Sequence, residues 1–297
     1  MTFPTPLSAR WLAAAAARLM LMSGVGYAGM AYGVSRFLTK PRRRAVAAAP
    51  SASDLSSAPF NLQTEDGISI SGWVVEPAHA HATIAMFHGM RQTREQMRSR
   101  IEFLAREGFR CVAIDHRAHG ESGGNRVSFG WYESRDVLAV ERWIEERYPG
   151  QRRYALGISM GAAALCFAGR ACQWDGVVVE GVYADVGAAF RRRIGKFYPA
   201  WFRQVTPAVL WITQKRLRVR SAQQLRPVEA VKSWRGVRLL GITGECDTFA
   251  PVSDGLEVVG AVPGGTDFLV VPNAGHSDVF ESGGEIYRAK LLSFLGA

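Results

Sequence analysis

Short runs of β-branched and apolar residues alternate with longer stretches of helical periodicity from residue 59 to the end of the chain. This alternation is typical of an α/β domain, in which a mostly parallel central sheet is flanked by helices. Asp66-Gly67 is a turn signal between the first two runs, so we expect them to form a hairpin. The predicted strands cover residues 60–64, 69–75, 83–87, 110–115, 154–157, 176–180, 237–243 and 267–271. The predicted helices cover residues 94–106, 131–147, 160–171 and 253–259, and a last one begins at 284.

A different pattern precedes this domain, because residues 11–34 are almost wholly apolar and are interrupted only by Arg18 and by small residues. A helix of that length would extend about 36 Å, which is enough to span a bilayer. We therefore expect an N-terminal membrane-spanning helix within an anchor of residues 1–44. Residues 45–58 are rich in Ala, Ser and Pro, which predicts a flexible tether.

The charges around the apolar run indicate its orientation. Five basic residues follow it between residues 36 and 44, whereas only Arg10 clearly precedes it. By the positive-inside tendency, a single-pass anchor would leave the domain at residues 59–297 in the cytoplasm. The alternative is a cleaved signal peptide that ends near residues 45–47 and exports the domain. A signal peptide carries its positive cluster before the apolar run, so the charges favour the anchor.

Two segments carry the net charge of +10. Besides the N-terminal segment, residues 187–235 hold twelve basic side chains and one acidic side chain, so the rest of the chain is net negative. Neither segment has the signature of a nucleic-acid-binding motif, and no nucleic-acid partner is expected. Aromatic side chains are mixed with the cations of residues 187–235. This composition predicts a short helical cap insert, whose basic face is either only solvated or also meets anionic lipid.

The sequence Gly157-Ile158-Ser159-Met160-Gly161 lies between a predicted strand and a predicted helix. In that setting G-x-S-x-G is typical of a nucleophile elbow, a turn so sharp that the serine takes a strained backbone conformation. Small residues must flank the serine, because the strand and the helix approach each other closely there. The pattern predicts Ser159 as a nucleophile beside the positive end of a helix dipole.

With this motif, residues 59–297 resemble the α/β-hydrolase superfamily, whose catalytic residues follow in the order serine, acid, histidine. The resemblance implies that Asp247, after a predicted strand, is the acid, with Asp185 as an alternative position. It also implies that His276, after the last predicted strand, is the base. His276 is the only histidine that lies downstream of both Ser159 and Asp247.

Two further segments resemble parts of the same superfamily. His88-Gly89-Met90 resembles its oxyanion loop, which implies that the backbone N–H groups of Met90 and Met160 bind the oxyanion. Residues 64–73 and the helical insert look most like the BEM46/ABHD13-like group of serine hydrolases. The resemblance therefore extends over the whole domain.

The resemblance implies a serine hydrolase that forms an acyl-enzyme on Ser159 and that uses no cofactor and no metal ion. The four cysteines lack the spacing of a zinc site or a disulfide framework. The expected substrates are carboxylic esters or thioesters, either small molecules or lipid-derived. A serine peptidase of the same fold and a non-catalytic scaffold are the alternatives. Residues 187–235 show no acidic cluster that would bind a peptide's α-amine, which favours an esterase.

Overall fold

A computed structural model describes residues 9–41, 43–50, 54–197, 200–264 and 266–297. Within these residues, eight strands form one sheet. The strands are β1 (Leu55–Gln63), β2 (Ser69–Pro77), β3 (Ala82–Phe87), β4 (Phe109–Ile114), β5 (Arg152–Ile158), β6 (Gly176–Glu180), β7 (Arg238–Gly244) and β8 (Thr266–Val271). Their order across the sheet is β1-β2-β4-β3-β5-β6-β7-β8.

The sheet is mostly parallel. β2 pairs antiparallel with both β1 and β4, and every other neighbouring pair is parallel. Parallel strands are covered on both faces and therefore need continuous apolar residues. β3, β4 and β6 meet this requirement, since they are buried along their whole length. The predicted mostly parallel α/β sheet is confirmed, and β1 begins at Leu55, within the segment predicted as a tether.

The helices cover both faces of the sheet. They are α1 (Ala9–Leu38), α2 (Arg98–Arg106), α3 (Ser134–Arg147), α4 (Met160–Ala168), α5 (Val186–Phe197), α6 (Thr206–Arg216), α7 (Pro227–Val231), α8 (Val252–Gly260) and α9 (Val279–Leu295). Apolar side chains of α3, α4, α7 and α8 pack on one face. Those of α2 and α9 pack on the other. α9 is kinked at Gly284, where the sequence predicted its start.

Helix α1 corrects the sequence analysis. In the described part of the chain, no helix combines the length and the apolar character that crossing a membrane requires. This finding contradicts the predicted membrane-spanning helix at residues 11–34, and with it the single-pass location. Glycine and serine are frequent in the second half of α1 and add little apolar surface. Of the predicted anchor, tether and cap, residues 1–8, 42, 51–53 and 198–199 lie outside the described residues.

The second half of α1 packs against the cap, the helical insert between β6 and β7 that contains α5, α6 and α7. The cap corresponds to the basic segment at residues 187–235. Ala31 of α1 joins an apolar cluster with side chains of α5 and α6. Ala31, Ser35 and Thr39 are buried and recur every four residues, so they lie on one side of the helix. The apolar pattern of α1 therefore matches a protein interface.

A buried ion pair ties α2 and α9 to the end of β6. Arg100 donates to both carboxylate oxygens of Glu180 at 2.9 and 2.6 Å, and the Tyr287 hydroxyl also donates to Glu180. None of the three residues is more than 2% exposed. Burial, the largest single influence, would lower the pKa of Arg100, but the charge of Glu180 and the contacts with Glu180 and Tyr287 together raise that pKa above its ordinary value. Each charge therefore depends on its partner to remain in the interior.

We expect Arg100→Ala to lower the free energy of unfolding by about 3–5 kcal/mol, because Glu180 would become an uncompensated buried charge. Urea denaturation followed by circular dichroism measures this change. The matched control is Arg106→Ala, at an exposed position of the same helix, and its effect should stay within about 0.5 kcal/mol. Equal losses for the two variants would contradict the role of the ion pair, since alanine has a higher helix propensity than arginine.

Candidate active site

The turn between β5 and α4 holds Ser159 at φ 52° and ψ −104°, a backbone conformation that residues with side chains rarely adopt. The Ser159 N–H donates to the Glu180 carbonyl oxygen at 2.8 Å, which anchors the turn to the end of β6. A Cβ atom on Gly161 would overlap the carbonyl oxygen of Phe87 at the end of β3. Glycine is therefore required where α4 begins, because the helix starts in contact with the neighbouring strand.

The structure brings Ser159, His276 and Asp247 together. His276 Nε2 lies 2.9 Å from Ser159 Oγ, and His276 Nδ1 lies 2.7 Å from Asp247 Oδ2. The other carboxylate oxygen, Asp247 Oδ1, accepts the backbone N–H groups of Phe249 and Ala250 at 2.8 and 2.9 Å. With Nδ1–H donating to the carboxylate, the lone pair of Nε2 points at the serine hydroxyl. This is the tautomer that a general base requires.

These three side chains meet because each follows a parallel strand, and the carboxyl ends of parallel strands lie at one edge of the sheet. Ser159 follows β5, Asp247 follows β7 and His276 follows β8. The alternative acid, Asp185, follows β6 but is engaged elsewhere. Its carboxylate accepts the Ala188 N–H at 2.7 Å and pairs with Arg226 at 3.3 Å. The geometry therefore favours Asp247 over Asp185 as the partner of His276.

The two predicted oxyanion donors, Met90 and Met160, line the same cavity as Ser159. Met160 is the first residue of α4. The first N–H groups of a helix have no acceptor inside the helix, so they attract negative charge that lies near the helix N-terminus. Met90 lies in the loop that follows β3, on the other side of the serine.

Hydrogen bonds on both sides of Met90 hold this loop in place. The Gly89 N–H donates to Gln96 Oε1 at 2.7 Å, and the Arg91 N–H donates to His119 Nε2 at 3.2 Å. Arg91 has a positive φ of 66°, which turns the chain sharply after Met90. The loop is thus fixed before any substrate arrives, as preorganised stabilisation of an oxyanion requires.

Three buried histidines, His88, His116 and His119, lie behind the loop. The ring of His88 has its centroid 5.1 Å from that of His116 and 5.0 Å from that of His119. Burial lowers the pKa of His88 and the pKa of His119, so both rings are neutral at neutral pH. A neutral ring keeps a lone pair, and His88 Nε2 uses it to accept the His116 N–H at 2.9 Å. His88 and His119 therefore help to hold the loop after β3 through hydrogen bonds.

A cavity of about 190 Å³ lies beside Ser159. Its apolar lining includes side chains of α5 and Leu38 at the end of α1. Arg193 and His276 are the lining side chains that carry or can gain positive charge, and among the described residues no carboxylate lines the cavity. A protein cavity of about 150 Å³ holds benzene. The space beside Ser159 therefore suits a small apolar group.

Sequence analysis did not identify Leu38 or Gln96 as residues of this site. Leu38 ends α1, and Gln96 lies in the 3₁₀ turn Arg94–Met97 that precedes α2. Neither segment carries a motif. Both residues reach the site only because elements distant in the chain pack together. Leu38 lies four residues after the apolar run at residues 11–34, in the basic flank of the predicted anchor, where no pattern indicated a place in the site.

Comparisons with known proteins show the family and the fold of this chain. A family model described as serine aminopeptidase, S33, matches residues 78–238, more than half of the chain. The uncharacterized protein YqkD of Bacillus subtilis is 26% identical over 247 residues, or 80% of this chain and 78% of that protein. The esterase Pf2001 of Pyrococcus furiosus aligns with a TM-score of 0.71 at 24% identity, over 86% of this chain and 97% of its own. Acetyl xylan esterase 1 of Thermoanaerobacterium has a TM-score of 0.61 at 15% identity, covering 90% and 92% of the two chains.

Proposed function

The chain belongs to the serine aminopeptidase S33 family of the α/β-hydrolases, and we propose that it cleaves carboxylic esters or thioesters through an acyl-enzyme on Ser159. The observation that carries the proposal is the hydrogen-bonded array of Ser159, His276 and Asp247. His276 takes the serine proton as Oγ attacks the acyl carbon, and Asp247 holds the imidazole in the required tautomer. His276 then protonates the leaving alcohol or thiol. Water, activated by the same histidine, releases the acid and restores the serine.

The tetrahedral intermediates of both steps carry a negative oxygen. The backbone N–H groups of Met90 and Met160 are the proposed donors to it, supported by their place in the cavity beside Ser159. A single donor of this kind contributes roughly 10²–10³-fold to kcat in serine hydrolases. The hydrogen bonds of Gly89 and Arg91 keep the loop from reorganising during the reaction.

The charge of the cavity favours an ester over an aminopeptidase substrate. An aminopeptidase must bind the α-ammonium group of its substrate, which requires an acidic or neutral acceptor. The described lining offers the cation of Arg193 and no carboxylate, so it disfavours an ammonium group. Two proteins that share the fold are named as esterases, which also supports an ester substrate. The cavity volume supports an acyl group of roughly six to eight non-hydrogen atoms.

The hydrogen-bonded array of Ser159, His276 and Asp247 supports an enzyme over a non-catalytic scaffold. Membership in the BEM46/ABHD13-like group is supported by residues 64–73 and by the cap insert. In the structure, Asp66 of this segment pairs with Arg117 at 2.8 Å, which ties the hairpin turn to the loop after β4.

We further propose that the cap meets anionic lipid surfaces, where lipid-derived esters would be found. Arg191, Arg203 and Lys215 are exposed on the cap, and Trp211 among them is 61% exposed. Arg191, Arg203 and Trp211 line a cleft of about 660 Å³, and none of its described lining residues is acidic. Cations beside an exposed aromatic side chain are typical of segments that lie at a membrane interface. Each cation near such a surface contributes about 1 kcal/mol.

We expect Ser159→Ala to abolish labelling by a fluorophosphonate and to lower the hydrolysis of p-nitrophenyl butyrate at least about 10³-fold, because the nucleophile is lost. The wild-type protein should hydrolyse p-nitrophenyl butyrate faster than leucine p-nitroanilide, as measured by release of the chromophore. A preference for the anilide would favour the aminopeptidase alternative. Undiminished labelling of Ser159→Ala would contradict the assignment of the nucleophile.

For the acid, we expect Asp247→Asn to lower kcat for the same ester by about 10⁴-fold with the fold retained. The asparagine oxygen still accepts the Phe249 and Ala250 N–H groups, but its amide NH₂ then faces His276 Nδ1 and favours the wrong tautomer. Asp185→Asn is the matched control and should keep a rate close to wild type. If the two variants exchange effects, Asp185 is the acid.

The lipid proposal is tested by co-sedimentation of the full chain with vesicles of anionic and of zwitterionic phospholipid. We expect binding to the anionic vesicles only, with a steep decrease as salt shortens the Debye length. Changing Arg191, Arg203 and Lys215 together to Gln should weaken binding by roughly a hundredfold. The control variant changes Arg106, Arg142 and Arg147 to Gln, which removes the same charge outside the cap. Equal weakening by both variants would mean that net charge, and not the cap face, drives binding.

A further inference from the structure

The end of α1 is held against the cap by polar contacts as well as by packing. Arg216 Nη1 donates to Ser35 Oγ at 3.1 Å and to Thr39 Oγ1 at 2.8 Å. Thr213 Oγ1 lies 2.9 Å from Ser35 Oγ. Ser35, Thr39 and Thr213 are each no more than 5% exposed, so these bonds are made in the interior. Their number and burial fix the rotation of the last turns of α1 about the helix axis.

The chain that follows α1 is held to the loop after β4. The Val127 N–H donates to the Thr39 carbonyl oxygen at 3.0 Å. Arg43 donates to the carbonyl oxygens of Ser122 and of Gly124, the latter at 3.0 Å. The last turn of α1 is therefore held from two sides, by α6 of the cap and by the domain itself.

This double attachment directs two consecutive side chains at the catalytic centre. Leu38 is half-buried and lines the cavity that contains Ser159. Phe37 lies with its ring centroid 5.0 Å from the guanidinium of Arg91, the residue after Met90 in the oxyanion loop. One helical turn from the N-terminal segment thus contacts both the acyl cavity and the loop beside it.

We propose that the last turn of α1 is a wall of the acyl cavity and that Leu38 determines the length of the acyl group that fits. The inference rests on the proposed esterase function of Ser159. A leucine side chain in a cavity of about 190 Å³ occupies space that further methylene groups of a substrate would need. Each methylene that is admitted or excluded in an apolar site changes the discrimination between substrates about tenfold or more. Helix α1, whose composition predicted a membrane anchor, would then select substrates by the length of their acyl group.

The experiment compares wild type, Leu38→Ala and Leu38→Phe on p-nitrophenyl esters of two to twelve acyl carbons. We expect the acyl length with the highest kcat/KM to increase by about two or three carbons in Leu38→Ala, because three side-chain carbons are removed. In Leu38→Phe it should decrease, with kcat/KM for the longest ester that wild type accepts falling about tenfold or more. The matched control is Leu256→Ala, at a 51% exposed leucine on α8, which should keep the wild-type profile.

A second measurement separates failure of this inference from failure of the proposed function. Binding of straight-chain alcohols to Ser159→Ala is measured by titration calorimetry with Leu38 present and with Leu38→Ala. Each methylene that fits should raise affinity about fourfold until the cavity is full, and Leu38→Ala should move that limit to longer chains. If the protein with Leu38 and the Leu38→Ala variant show the same dependence on chain length, both for ester hydrolysis and for alcohol binding, the role of Leu38 is overturned. If the wild-type protein hydrolyses no ester but Leu38→Ala still moves the alcohol limit to longer chains, the esterase proposal fails. The conclusion that Leu38 forms a wall of the cavity then stands.

Discussion

The backbone of Ser159 is the constraint on which the site depends. A residue at φ 52° and ψ −104° is strained, and such strain persists only where the surroundings determine it fully. Here the Ser159 N–H is bonded to the end of β6, and the Glu180 side chain at that end is held by Arg100 and Tyr287. The buried ion pair therefore supports the turn that holds Ser159. The apolar layer that α2 and α9 form on their face of the sheet keeps that pair out of water.

Buried polar groups around Ser159 are paired by hydrogen bonds. His88 and His119 hold the loop that follows β3. Burial lowers the pKa of both rings and keeps them neutral, so each ring can accept a backbone N–H. Asp247 is 4% exposed and has every carboxylate oxygen engaged by a donor. Twelve of the 36 Lys and Arg side chains lie between residues 187 and 235, and one of them, Arg193, lines the cavity beside Ser159.

The N-terminal helix shows how one pattern of residues can fit two environments. A run of apolar and small residues is stable in a lipid bilayer and also at an interface between helices, because both environments exclude water. Small residues favour the second case here, since Ala31 and Ser35 let α1 approach α6 closely enough for Arg216 to bond across the contact. Such close approach brings the end of α1 to the cavity beside Ser159. Helix α1 and the cap helices α5 and α6 thus share one apolar cluster although they come from two distant parts of the chain.

The sequence by itself determined the sheet, the turn at Ser159 and the order of the three site residues. The sheet and the turn follow from local rules, namely the alternation of apolar runs and the glycines that a sharp turn requires. The order of the three site residues follows from the resemblance to the α/β-hydrolases. The sequence left open whether Asp247 or Asp185 faces His276, and it predicted a membrane helix that the structure contradicts. The tertiary structure decided those points and the place of Leu38, Gln96 and the ion pair of Arg100. The physical reason is that each depends on contacts between segments far apart in the chain, and hydrophobic pattern specifies that a surface is buried without specifying against what.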